Sequence, residues 1–259
     1  MTNNNKIKMP DGFDYQAFLS LDSTNKEAVR QAHMGAKSGF WISSIEQTEG
    51  RGRRGRKWAS VSGNLYCSLI YDSQSEIYKA SQLSFVTTLA VCDTVAECLE
   101  GVDVKCKWPN DVLVDNKKIS GILLETFSKT PKDPIFMIIG IGINIQDHPK
   151  LTLYEATHIN EHTKTDFNAD DIFSILTQKM AYWLEIWNVQ GFATIREQWL
   201  KHCKGLGENI CVRMPNEELM GRFVDLDSNG ALRLAIGDEI RLIHSGDVFF
   251  DTTKNNKRK

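Results

Sequence analysis

The run Lys107–Glu125, KWPNDVLVDNKKISGILLE, reads as the middle of a hairpin-linked sheet. Val112–Val114 and Ile119–Thr126 are short runs rich in residues that pack well on a pleated surface. Between them, Asp115-Asn116 fits a tight hairpin turn, because both side chains tolerate a left-handed backbone. Upstream, Val102–Trp108 enters a turn made by Pro109, Asn110 and Asp111. Proline fixes its own φ and restricts the residue before it, so this turn is rigid and polar. Downstream lies Ile135–Ile145, the most apolar stretch of the chain. It is about half the roughly 20 residues that span a bilayer, and it reads as a buried strand.

Working outward, Ala80–Leu99 has helical periodicity with no Gly or Pro. Asn64–Tyr71 alternates as a strand does, through Leu65, Cys67, Leu69 and Tyr71. Phe40–Ile45 reads as another strand. Ser23 opens a helix as its N-cap, with Glu27 in the first turn. Residues 1–12 read as a loose, polar arm without the apolar segment of a secretory signal. On the other side, helices are expected over 169–188 and 192–203. After Gly205 the texture changes to five short strands: Ile210–Met214, Leu219–Asp227, Ala231–Ala235, Ile240–His244 and Val248–Phe250. Turn signals at Ser228-Asn229-Gly230 and Ser245-Gly246-Asp247 punctuate them. The class is α+β: a main domain over 1–204, a small β-barrel or sandwich over 205–253, and a basic tail over 254–259.

The 259 residues carry 31 Lys+Arg against 33 Asp+Glu. That near-neutral balance argues against a protein that coats nucleic acid with its whole surface. With 41% hydrophobic residues the chain excludes collagen-like, disulfide-scaffold and wholly disordered classes. Six cysteines (Cys67, Cys92, Cys98, Cys106, Cys203, Cys211) form no CxxC pair, and most sit in apolar or alternating runs. They read as reduced thiols of a cytoplasmic protein. His158 and His162 are spaced i, i+4 in a polar segment without HExxH, so they read as surface histidines and no metal-ligating set is assigned.

Four segments carry chemistry. Arg51–Lys57 places five cations in seven positions, interleaved with glycines. Such a run resists helix and core alike. Arginine forks and flexible backbone suit a mobile loop that wraps a phosphate or carboxylate. A solvated basic loop, a nucleic-acid patch and a localisation signal share that composition. In the Lys107–Glu125 run, Gly121 within a strand suggests close approach by a backbone or ligand, and the bland reading is an ordinary hairpin with solvated lysines. Gly140–Ile145 (GIGINI) resembles part of a dinucleotide fingerprint but precedes no helix. Its glycines would make room for a flat ligand, with Asn144 at a polar edge. Ser23-Thr24-Asn25, at a helix N-terminus, could bind an anion or polar ring or simply cap the helix.

In this order the segments resemble the biotin protein ligases (biotin–acetyl-CoA-carboxylase ligases). The resemblance runs through Ser23-Thr24-Asn25, Glu46-Gln47-Thr48, the Gly50–Trp58 loop, Gly63–Tyr66, Lys107–Asp111, Lys117–Glu125, Gly140–Asn144 and the closing Ser245–Val248. It implies a class II synthetase-like catalytic domain, with a large mixed or antiparallel sheet flanked by helices, and an SH3-like barrel. It implies ATP-dependent biotinylation of a lysine on the biotin carboxyl carrier protein of acetyl-CoA carboxylase, or of other biotin-dependent carboxylases. Biotinyl-5′-AMP would be the intermediate, and ATP, biotin and Mg²⁺ would be required. By the family motifs, Arg53, Lys118 and Asp111 are the catalytic candidates, with Asp111 assisting orientation or protonation. Ser23, Thr24, Asn25, Gln47, Arg51, Gly52, Arg53, Lys118 and Gly121 would contact biotin. Arg51, Arg53, Arg54, Trp58, Asn110, Asp111, Lys118 and Asn144 would contact ATP or the adenylate.

Some members of the family carry an N-terminal helix-turn-helix domain and act as repressors. Only about 20 residues precede Ser23 here, so a ligase without repressor activity is expected, with no nucleic-acid or membrane partner. The chain would act as a monomer or a homodimer. The rival enzyme is a lipoate or octanoyl transferase of related fold. The rival from another class is a nucleic-acid module built on the Arg loop, which would bind with steep salt dependence.

Overall fold

The computed structural model describes residues 7–72, 81–128, 130, 135–150 and 154–250. Among them, seven strands form the larger sheet: β1 (Asp14–Leu21), β2 (Phe40–Gln47), β3 (Leu65–Asp72), β4 (Val104–Lys107), β5 (Asp111–Val114), β6 (Lys117–Phe127) and β7 (Phe136–Ile143). Their spatial order is β1-β2-β3-β7-β6-β5-β4. β1 runs parallel to β2 and the other pairs are antiparallel. The helices are α1 (Thr24–His33), α2 (Gln82–Cys98), α3 (Ala169–Gln190) and α4 (Phe192–Lys201). A five-stranded antiparallel sheet follows, built from β8 (Asn209–Arg213), β9 (Glu218–Leu226), β10 (Leu232–Ile236), β11 (Glu239–Ile243) and β12 (Asp247–Phe250), in the order β11-β10-β9-β8-β12. This is the α+β arrangement expected.

Strand alternation sorts the large sheet into two unlike faces. Leu65, Cys67 and Leu69 of β3 and Ile139, Ile141 and Ile143 of β7 share one core with Leu89, Phe173, Met180 and Trp199 of α2, α3 and α4. On the opposite face Ile42, Ile70 and Ile138 meet Ala28 and Ala32 of α1. The main core continues into the small sheet through Ile210, Phe223 and Val248. The Trp108 indole also donates to the Gly230 carbonyl at 3.1 Å across that seam. Asp115 and Asn116 take positive φ, 49° and 69°, as a two-residue hairpin turn requires.

Three local expectations change. β1 forms where the pattern marks no strand. It lies at the sheet edge, and its burial does not alternate, so no period-2 signal is written into it. The N-terminal arm is not loose from residue 7 onward, since Ile7 and Met9 pack on the core; residues 1–6 lie outside the described residues. Ser23 is the N-cap residue of α1 but makes no side-chain cap bond. The basic tail over 254–259 also lies outside the described residues.

Candidate active site

The site begins as a row across the sheet. Tyr66 of β3 pairs with Gly142 of β7, Gly142 with Gly121 of β6, and Gly121 with Asp111 of β5. Paired residues project to the same face, so two adjacent glycines leave a shallow floor with Asp111 at its end. In a regular strand, Lys118 and Gly121, three apart, would face opposite sides. The β5–β6 register shifts between Val112 and Leu113, pairing them with Ser120 and Lys118 and leaving Ile119 as the extra residue. That bulge re-aims the chain. Ile119 enters the core, and Lys118 Nζ comes to 2.6 Å from Asp111 Oδ1 on the cavity side.

The N-terminus of α1 forms one wall. Ser23, Thr24 and Asn25 are all buried. The Thr24 amide and hydroxyl both donate to Gln47 Oε1, at 2.9 and 3.1 Å. Ser68, wholly buried on β3, lies 2.7 Å from Thr24 Oγ1 and 2.6 Å from Asn25 Oδ1. Asn25 Nδ2 donates to Glu125, which also accepts from Arg51. A side chain at Gly140 would strike Asn25, its Cβ falling 2.2 Å from Oδ1, so glycine there admits the wall.

The Arg loop closes on itself and then on the small sheet. The Gly52 amide donates to the Arg56 carbonyl at 2.7 Å, the Trp58 amide to Gly50, and Arg54 turns the chain at φ 56°. Arg53 Nη1 donates to Asn110 Oδ1 at 2.9 Å and to the Gly246 carbonyl at 3.5 Å, and its Nη2 donates to Ser245 Oγ at 3.3 Å. Burial pulls the Arg53 pKa down, opposed by Asp247 and Asp111. Asp247 accepts from both Arg54, at 3.2 Å, and Arg56, at 2.9 Å. A run of like charges is thus held together by one carboxylate from another part of the fold.

The flat group against the glycines is supplied by the protein itself. A Cβ on Gly142 would lie 2.6 Å from the Trp58 ring, and one on Gly121 would lie 2.8 Å from it. The indole therefore rests on the glycine floor, with Lys118 Nζ 5.4 Å from its centroid. Its Nε1 is buried and has no hydrogen-bond partner among the described residues. Asn144 lines the same space, but its Nδ2 donates to the Thr157 carbonyl at 3.0 Å.

These walls enclose a cavity of about 450 Å³, within the size range of small-molecule sites. Ser23, Thr24, Asn25, Gln47, Arg51, Gly52, Arg53, Trp58, Asn110, Asp111, Lys118, Gly121 and Asn144 all line it. Arg54 is the exception among the expected residues, because its guanidinium is turned to Asp247. Sequence reasoning missed Ser68, Asp247, Tyr154 and Lys107. A serine inside a strand as apolar as β3 was a usable signal; the pairing of Asp247 with residues almost two hundred positions away was not. Lys107 is buried with Nζ 3.9 Å from the Tyr154 ring centroid, and burial draws its pKa down to about 8. His158 and His162 do not act as a pair. His162 meets Thr157, and His158 faces His148. The cysteines are free thiols, and burial raises those of Cys67, Cys92 and Cys98. No helix among the described residues is long and apolar enough to cross a membrane.

Residues 18–144 match the biotin/lipoate A/B protein ligase family, and residues 205–251 match the biotin protein ligase C-terminal domain. A biotin–[acetyl-CoA-carboxylase] ligase of Paracoccus denitrificans is 34% identical over 88% of this chain and 97% of its own length. The biotin protein ligase of Aquifex aeolicus in complex with biotin and ATP superposes with a TM-score of 0.79 at 27% identity, covering 91% of this chain and 97% of that one. The Leishmania major biotin protein ligase in complex with biotinyl-5-AMP gives 0.64 at 26% identity, covering 90% and 99%.

Proposed function

Because the chain belongs to the biotin/lipoate A/B protein ligase family, we propose that it attaches biotin to a lysine of the biotin carboxyl carrier protein of acetyl-CoA carboxylase, through biotinyl-5′-AMP. The observation that carries this reading is one cavity that gathers the Lys118–Asp111 pair, the polar N-terminus of α1 and the Arg loop around a glycine floor.

In the first step a biotin carboxylate oxygen attacks the α-phosphorus of ATP. The bond from that phosphorus to the bridging oxygen breaks, and pyrophosphate leaves with the electron pair. Two anions must approach, so cations have to neutralise them as charge builds on the phosphate oxygens. Lys118 stands beside the carboxylate and α-phosphate, held in place by Asp111. Arg53 and Arg51 face the same space from the loop. The polar wall of Ser23, Thr24, Asn25 and Gln47 fixes the ureido ring, and the closed loop excludes water that would hydrolyse the anhydride. In the second step the acceptor amine attacks the acyl carbon, loses a proton, and AMP departs. The Asp111 carboxylate, with one oxygen on Lys118 and a second to offer, suits a hard, octahedral cation that keeps several waters. It would hold Mg²⁺, which supplies further neutralisation of the phosphates.

The test is biotin-dependent ATP–pyrophosphate exchange with Mg²⁺, with lipoate in parallel. Exchange with biotin alone supports the reading. Exchange with lipoate alone moves the chain to the lipoate branch of the family, and exchange with neither overturns the adenylation chemistry.

A further inference from the structure

Beside the cavity-lining residues Pro149, Tyr154 and Ala156 in the chain lies a cluster the ligase reaction does not use. His148 Nδ1 and His158 Nδ1 face each other at 2.9 Å, ten residues apart in sequence. A carboxylate oxygen of Asp147 lies within 4.8 Å of a ring nitrogen of each histidine. Glu161 Oε2 lies 4.0 Å from the first and 3.7 Å from the second. Donors around a single transition-metal ion sit about 2.0–2.2 Å from it, and hence roughly 3 Å from each other. The histidine pair already has that spacing, and a carboxylate reaches toward it from each end, 145–148 and 156–161, of the excursion that follows β7.

Both ends of the excursion are fixed. Asn64 Oδ1 accepts from the Ile145, Gln146 and Asp147 amides, and Asn64 Nδ2 donates to the Asp147 carbonyl. On the other end, the Thr157 and Ile159 amides donate to the Lys118 and Asn144 carbonyls. Thr157 Oγ1 donates to Glu161 Oε2 at 2.7 Å, as groups around metal ligands do when they orient a carboxylate. All four side chains keep some solvent exposure, which leaves room for water to complete a coordination shell. We propose that His148, His158, Asp147 and Glu161 form a site for a borderline divalent transition metal of the Zn²⁺ and Co²⁺ class, separate from the Mg²⁺ of the reaction. Two imidazoles with carboxylates select such ions over Mg²⁺ or Ca²⁺, which take oxygen donors. Bound metal would staple the two ends of the excursion and so stiffen one wall of the cavity.

The experiment is titration of the full-length protein with Co²⁺, followed by visible absorption and by proton NMR. One equivalent should bind, giving d–d bands and two exchangeable, hyperfine-shifted imidazole N–H signals from the unligated Nε2 atoms. Zn²⁺ should displace Co²⁺, and Mg²⁺ in excess should not. His148→Ala and His158→Ala should each weaken binding by at least about tenfold, while His244→Ala, exposed just after β11, should leave it unchanged. The NMR signature is read on the unsubstituted protein, so it decides even if a variant misfolds. Absence of a stoichiometric complex, sulfur-to-cobalt charge-transfer bands from a cysteine site, or binding unchanged in folded His148→Ala and His158→Ala would each overturn the proposal.

Discussion

The floor of the cavity and the loop that covers it solve the same problem by opposite means. The floor is backbone: Gly121 and Gly142 lie side by side in a central part of the sheet, hydrogen-bonded on both edges, with the Lys118–Asp111 pair at the end of their row. The lid is charge. Arg51, Arg53, Arg54 and Arg56 are tied to Glu125, Asn110 and Asp247 through side chains that remain partly in water. Geometry on the floor is set by packing, which salt does not touch, and geometry of the lid by ion pairs, which salt screens. A rigid base can hold a ligand in one register, while a loop held by exchangeable ion pairs can open and close over it.

Each part can be broken separately. Lys118→Ala should have the largest effect, lowering the ATP–pyrophosphate exchange rate roughly 10- to 100-fold, since a charge-assisted bond contributes about 1.5–3 kcal/mol. Unchanged exchange would remove Lys118 from the reaction. Gly142→Val should follow. Its Cβ would meet the Trp58 ring at 2.6 Å, and overpacking costs about 1–3 kcal/mol. The indole must leave the floor, so tryptophan fluorescence should shift and adenylate affinity should fall about tenfold at every salt concentration. Ser68→Ala should lower unfolding stability by about 1–2 kcal/mol in urea titrations, because Thr24 and Asn25 lose a wholly buried partner. The apparent KM for biotin should rise with it. Asp247→Asn should be the mildest, raising the KM for ATP several-fold at low salt with little change in kcat. The difference from the unsubstituted protein should shrink in high salt. If Asp247→Asn instead proves salt-independent and more severe than Gly142→Val, the lid is a packed element and the contrast fails.

The same contrast governs what could be read from the chain alone. The strands of the large sheet with one or both faces buried announce themselves by composition, as Leu65–Asp72 and Phe136–Ile143 do. The edge strand Asp14–Leu21 does not, because it buries too little of either face. Motif residues that line the cavity are legible because their chemistry is unusual for their surroundings: arginines among glycines, or a lysine beside an apolar strand. The use made of the glycines is not legible. Gly121 and Gly142 invite a flat group, and only the folded loop shows that Trp58 fills the role. Nor can a sequence state that Arg54 will face Asp247, or that His148 will meet His158 across ten residues. Those pairings are set by where strands end, and so by the assembled sheet.

The bulge at Ile119 carries a consequence for insertions and deletions. Removing that single residue would restore an unbroken ladder between β5 and β6, hydrogen-bonded without irregularity. Lys118 would still oppose Leu113, and so would still project to the cavity face, because those two residues are already partners. What the deletion removes is Ile119 itself, a wholly buried core side chain. Keeping Ile119 while pairing β6 without the bulge is the damaging change: it reverses the parity before Ser120 and sends Lys118 through the sheet, away from Asp111. The irregularity is what lets a core isoleucine and a cavity lysine be neighbours in the chain.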